Sequence, residues 1–167
     1  MSRILLHESI HDRVLEKILE RVAKIKVGHP LDPATNMGPI NNKAQYQKVL
    51  SYIELGMKEG AKLLHGGKVP QGDEFKRGYW VEPTVFSDVN MAMRLAKEEV
   101  FGPVMSVLKF KTETEAVQMA NAIDLGLTAA VWTNDINRAL RVAQQVQAGY
   151  VWINGVGQHY RGVPYGG

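Results

Sequence analysis

Between residues 104 and 153, short apolar runs alternate with segments of helical periodicity, and this alternation leaves few architectures open. Residues 104–110, 127–133 and 150–153 are too short and too continuously apolar for helices, and read as buried strands. Between the first two, Thr112 with Glu115 forms a capping box that opens a helix running to Ile123. Asn134 or Asp135 caps the next helix, whose Ile136, Leu140, Ala143 and Val146 fall on one face. Gly149 stands where a left-handed terminator is wanted. Strand–helix–strand–helix–strand calls for right-handed crossovers, so the expected class is α/β: a parallel-sheet core covered by helices. Ligand loops in such sheets lie at the carboxyl ends of strands, which directs attention to Asn134, Asn154 and the glycine-rich residues that follow.

The first hundred residues extend the pattern. Residues 3–7 read as a strand, and Ser9, with Asp12 in the capping-box position, reads as the cap of a helix through Ile25. Residues 27–39 hold two glycines and three prolines and must be a loop. Residues 42–59 form a second amphipathic helix with Val49, Leu50, Ile53 and Met57 on one face. Residues 61–64 suit a strand and residues 66–78 a polar surface loop. Pro83 lowers residues 81–85 to an irregular or edge strand. With 167 residues, one domain with a real core is the expected organisation.

Composition narrows the function classes. The net charge is only +3 and the basic residues are scattered, which gives no nucleic-acid or membrane surface. No apolar run approaches the roughly 20 residues needed to span a bilayer, and no signal pattern opens the chain, so a cytoplasmic location is the default. There is no cysteine, which removes disulfides, thiolate metal sites and any sulfur nucleophile from these residues.

Several motifs carry possible chemistry. His7-Glu8-Ser9-Ile10-His11 matches H-E-x-x-H, in which two histidines one helical turn apart grip zinc beside a glutamate base. Here His7 ends the extended run and the helix begins after it, so the imidazoles do not share a helical face; the context favours a chance match with exposed histidines over a zinc site. Residues 97–103 (Lys-Glu-Glu-Val-Phe-Gly-Pro) place paired carboxylates before an aromatic and a chain break at a strand entrance. A carboxylate there can accept hydrogen bonds from two sugar hydroxyls, and the aromatic can pack beside a flat ring. A solvated acidic pair with a core phenylalanine is the plain alternative. Residues 150–167 end a strand in Asn154 and open into glycines and aromatics, which suits either a pocket wall or an irregular connection with core aromatics.

Taken together and in order, these segments resemble the aldehyde dehydrogenase superfamily. Residues 2–12 are similar to the strand and helix start that follow the family's catalytic cysteine. Residues 27–40 resemble its G-x-P-x-D-x-x-T-x-x-G-P loop, and residues 78–85 its G-x-x-x-x-P-T-V. Residues 98–104 are similar to its most recognisable block, and residues 151–154 and 164–167 resemble its V-x-x-N and P-F-G-G.

The resemblance implies a fold like that family's catalytic domain and an NAD- or NADP-dependent oxidation of an aldehyde to a carboxylic acid. It assigns Glu99 to the nicotinamide ribose and Phe101 to the flank of the nicotinamide. Asn154, His159 and Tyr165 fall where the family lines the aldehyde pocket, the last two where many relatives carry phenylalanine. The nucleophilic cysteine, the general-base glutamate, the dinucleotide-binding domain and the final subunit-joining strand are expected outside this sequence. The residues 1–167 then supply no catalytic group and no metal ligand, and the chain alone is expected to be inactive. The parent is expected to be a homo-oligomer. A natural non-catalytic binding or subunit-interaction protein is the alternative, with a zinc peptidase through His7, Glu8 and His11 behind it.

Overall fold

The computed structural model describes residues 3–166. They form two compact units, divided between Lys109 and Phe110.

The first unit holds β1 (Arg3–His7), α1 (Glu8–Val22), α2 (Lys43–Lys58), β2 (Lys62–His65), β3 (Thr84–Val89), α3 (Arg94–Lys97) and all but the last residue of β4 (Val104–Phe110). The strands form one sheet in the order β1-β4-β3-β2. β3 and β4 run parallel, with Thr84 opposite Val104 and Phe86 opposite Ser106, whereas β2 runs antiparallel to β3. The sheet is therefore mixed. β3 is an interior strand and not the edge expected from Pro83. The proline lies one position before the strand begins, where its missing N–H costs no ladder bond. Its carbonyl instead meets His65 Nδ1 at 2.9 Å.

β3 is buried on both faces, from Thr84 through Ser87. Alternation sends Val85 to one face, in a cluster with Leu6, Val22 and Val107 against Leu15 and Ile18 of α1. Phe86 goes to the other, where its ring reaches the Gly56 position of α2. Burying side chains of this size contributes about 1.5–3 kcal/mol each. On α2 the buried line is Val49, Ile53 and Gly56; Met57, expected on that face, is 46% exposed. Leu95 and Phe86 come within 2.7 and 3.3 Å of a Cβ built on Gly56, so this glycine sets the helix's approach to the sheet.

The caps follow local chemistry. Asn42 Oδ1 accepts from Gln45 N at 2.9 Å to open α2. The cap of α1 lies two residues earlier than expected. It is His7, whose Nδ1 accepts from Ser9 N at 3.2 Å, so an imidazole nitrogen does what a hydroxyl usually does. The residue expected to cap is thus itself capped. His7 sits at the strand–helix boundary, as the extended run implied. His11 is buried and not exposed, with its Nδ1 donating to Asp12 Oδ1 at 2.6 Å. No group of three or more metal-ligating side chains occurs among the described residues.

The second unit holds α4 (Glu113–Asn121), β5 (Thr128–Val131), α5 (Ile136–Gln145) and β6 (Tyr150–Ile153). β5 and β6 pair in parallel, Thr128 opposite Tyr150 and Val131 opposite Ile153. Thr112 Oγ1 caps α4 through Glu115 N, and Glu115 Oε2 reaches back to Lys111 N at 2.7 Å, one residue before the cap. Asp135 Oδ1 caps α5 through Arg138 N at 3.0 Å. Asn121 ties the helix ends together, donating to Gln145 O and accepting from Gln147 N, each at 2.8 Å.

Three expectations for this unit are corrected. α5 rests on Ala139, and the apolar face that periodicity located leaves Ile136 and Leu140 63% and 50% exposed. Gly149 has no left-handed φ and does not end α5, which closes where Val146 N donates to Val142 O; Gly149 N instead joins Gly126 O at 2.7 Å. β6 is half-buried rather than buried, because its sheet has only two strands. No helix among the described residues is long and apolar enough to cross a membrane.

Candidate functional site

The segment from α3 to β4 is held along one face of α2. Residues 45, 48, 49, 52, 56 and 59 recur at the three- and four-residue steps of a helix, and the N-terminal half of that line meets residues 98–102 while its C-terminal end meets Arg94 and Leu95. Glu59 carboxylate oxygens accept from Arg94 N and Leu95 N at 3.0 and 3.4 Å. Tyr52 donates its hydroxyl to Glu98 Oε2. Lys48 Nζ donates to Glu99 O at 2.8 Å, and Gln45 Nε2 donates to Val100 O and Phe101 O at 2.7 and 2.8 Å. A Cβ on Gly102 would stand 2.4 Å from Val49 Cγ2.

The two adjacent carboxylates have opposite fates. Glu98 takes a two-pronged grip from Arg94, Nε to Oε1 at 2.7 Å and Nη2 to Oε2 at 3.0 Å. The Arg94 hydrogen bonds, then the Tyr52 hydroxyl, hold the Glu98 pKa down to about 2. The same contact with Glu98 raises the Tyr52 pKa. Glu99 is exposed, and its carboxylate has no hydrogen-bond or ion-pair partner among the described residues. Phe101 is 73% exposed and has φ 52°, a left-handed backbone that costs a bulky residue of order 1–3 kcal/mol. Its ring is not the core phenylalanine of the plain reading. Gln45, Lys48 and Tyr52 were not singled out in the sequence. Their helical spacing was visible, but their partners lie about fifty residues away, and Lys48 and Tyr52 pass for an ordinary polar helix surface.

The second unit carries the other residues of interest. Asn154 follows β6 at φ 51° and spends its amide on Thr133: Oδ1 accepts from Thr133 N and Nδ2 donates to Thr133 O, both at 2.9 Å. His159 and Tyr165 are brought together, with ring centroids 4.4 Å apart. Both pack edge-on against Tyr150, at 5.4 and 6.1 Å, and His159 also meets Trp152 at 5.0 Å. Trp152 Nε1 donates to Gln158 O at 2.7 Å and folds the loop back over the strand. An open groove of about 470 Å³ runs beside this cluster, walled by Tyr150, Trp152, Tyr160 and Val163. His159 and Tyr165 do not line it. Asn134 is exposed in the turn between β5 and α5.

One segment thus offers an unpaired carboxylate and an exposed aromatic on a main chain held by α2, and another carries an aromatic groove. The chain matches the aldehyde dehydrogenase family over residues 1–167 and belongs to it. It is 49% identical over 166 residues to betaine aldehyde dehydrogenases of Mesorhizobium japonicum and of Brucella anthropi, covering 99% of this chain and 34% of each relative. Two crystal structures of betaine aldehyde dehydrogenase from Staphylococcus aureus match it at a TM-score of 0.96. One is an apo mutant, 43% identical; the other is in complex with NAD+, 42% identical. Each match covers 99% of this chain and 33% of that one. The chain thus spans about a third of the length of these relatives. The expected α/β fold of the family's catalytic domain is the one observed.

Proposed function

We propose that these residues form the nicotinamide-ribose grip and one wall of the aldehyde pocket in an NAD- or NADP-dependent enzyme that oxidises an aldehyde to a carboxylic acid. One observation carries the reading: Glu99 is exposed and unpaired beside Phe101, whose ring is raised by a left-handed backbone that α2 holds in place. The residues fit the group. A carboxylate with both oxygens free accepts from two ribose hydroxyls, and an exposed ring face packs beside a flat heterocycle. The dinucleotide, when bound, supplies the acceptor for the hydride leaving the aldehyde carbon. The covalent step needs a thiolate, and this sequence contains no cysteine, so these residues bind and orient while the nucleophile is supplied elsewhere.

For the aldehyde itself, we infer a quaternary ammonium compound such as betaine aldehyde. Its support is the name of the relatives and the aromatic groove around Tyr150, Trp152 and Tyr160, since the faces of aromatic rings attract such cations. A homo-oligomer goes with this reading, supported by the exposed Trp132, Ile136 and Leu140, and a cytoplasmic location is proposed with it.

The test is a chimera in which residues 1–167 replace the matching third of the Mesorhizobium japonicum enzyme. NAD-dependent oxidation of betaine aldehyde is expected, with Glu99→Gln raising the KM for NAD about tenfold through loss of a charged acceptor. The purified 167-residue chain should oxidise nothing. Activity of the chain alone, or a normal KM in Glu99→Gln, contradicts the proposal.

A further inference from the structure

Glu98 stands directly before the residue assigned to the ribose, yet it faces the protein. Its two oxygens take three donors, two from Arg94 and one from Tyr52. The Tyr52 ring lies under two cations, with Arg94 Cζ 5.9 Å and Lys48 Nζ 5.7 Å from its centroid. Lys48 in turn donates to Glu99 O. One tyrosine on α2 therefore joins the side chain of Glu98 to the main chain of Glu99. Arg94 is itself fixed at its backbone by Glu59, from the far end of α2.

We infer that Tyr52 and Arg94, acting through Glu98, are positioning residues that aim Glu99 and Phe101 at the dinucleotide; the inference rests on the cofactor reading of Glu99 and Phe101. The geometry is selective. With Glu98 anchored, the strained turn at Phe101 is held from both sides, by Glu98 before it and by Val49 against Gly102 after it. Without that anchor, Gln45 and Lys48 alone restrain the main chain from Glu99 to Phe101, and the strained turn can loosen toward negative φ, which would swing the ring and the Glu99 carboxylate together.

Hydrogen exchange on the 167-residue chain tests the anchor without any cofactor. Tyr52→Phe keeps the ring under both cations and removes only the donor to Glu98. Within residues 98–102, exchange of the Glu98 amide, bonded to Arg94 O at 2.9 Å, and of the buried Val100 should rise about 2–10-fold, the worth of one hydrogen bond, while β4 amides such as Val107 and Leu108 keep their protection. Arg94→Lys should do the same more weakly, because charge is kept and the fork is lost. In the chimera, Tyr52→Phe should raise the KM for NAD by a similar factor with kcat within twofold.

Unchanged exchange over residues 98–102 in Tyr52→Phe overturns the inference. So does faster exchange with an unchanged KM for NAD; if Glu99→Gln also leaves that KM unchanged, the cofactor reading has failed and not the anchor alone. Should Tyr52→Phe also strip protection from β4, Arg94→Ala at its exposed position makes the same comparison.

Discussion

Asn154 and Thr133 form a two-way clasp: the amide of one closes on both the N–H and the C=O of the other, each bond 2.9 Å long. With Asn154 N bonded to Val131 O at 2.8 Å, the clasp locks the ends of β5 and β6 together. Asn154→Ala should destabilise the second unit by about 1–3 kcal/mol, losing two hydrogen bonds and placing a Cβ at φ 51° without the amide that compensates it. Asn154→Gly should cost less, since glycine accepts that φ freely. Urea unfolding of the three proteins gives the order; alanine as stable as asparagine would show that the clasp contributes nothing.

The Glu98 carboxylate should make the first unit acid-sensitive. Its pKa falls from an ordinary 4.5 to about 2 in the folded protein, chiefly through the Arg94 hydrogen bonds. A depressed folded pKa gives stability that is present above 4.5 and lost as pH falls toward 2. Both partners are solvent-exposed in part, so screening trims the effect and salt should reduce it. Urea midpoints at pH 5, 3.5 and 2.5 should fall more steeply for the wild type than for Glu98→Gln; parallel curves would show that the ion pair has no bearing on stability.

Much of this was legible beforehand, and what was not has a common cause. The strand at residues 3–7, the Thr112–Glu115 cap and β4 are local events, written in adjacent residues. The free Glu99 and exposed Phe101 stand where the motif put them, but the motif did not say which of two carboxylates is free. That is decided by Tyr52 and Arg94, and only the packing of α2 on α3 brings Tyr52 there. Pro83 points to an irregular or edge strand because a proline's position relative to the first ladder bond depends on register, which sequence periodicity does not carry. The exposed Ile136 and Leu140 mark the same limit: periodicity identifies an apolar face, not whether anything covers it.

Gly102 and Val49 should behave as one unit. A methyl group on Gly102 would stand 2.4 and 3.1 Å from the two Val49 methyls, and Val49 is fully buried with a stiff χ1. Gly102→Ala should cost about 1–3 kcal/mol by overpacking. Combined with Val49→Ala, the two changes should be markedly less than additive in thermal unfolding. Simple additivity would mean that the backbone yields instead.

Phe101 separates function from stability. With its ring 73% exposed, Phe101→Ala should shift the unfolding free energy of the chain by no more than about 0.5 kcal/mol. In the chimera the same change should raise the KM for NAD several-fold, to an extent set by lost aromatic contact of about 0.5–1.5 kcal/mol. A large stability loss with an unaltered KM would make the ring structural.

The run of contacts from Gln45 to Glu59 constrains how this region can change in length. One residue inserted midway in α2 would turn everything beyond it by about 100° and advance it by about 1.5 Å. Tyr52 and Glu59 would then face away from Glu98 and Arg94 while Gln45 still held Phe101. Insertions and deletions should therefore be confined to the connections on either side, residues 26–41 and 66–78, where the chain can grow or shrink without turning one half of the helix against the other.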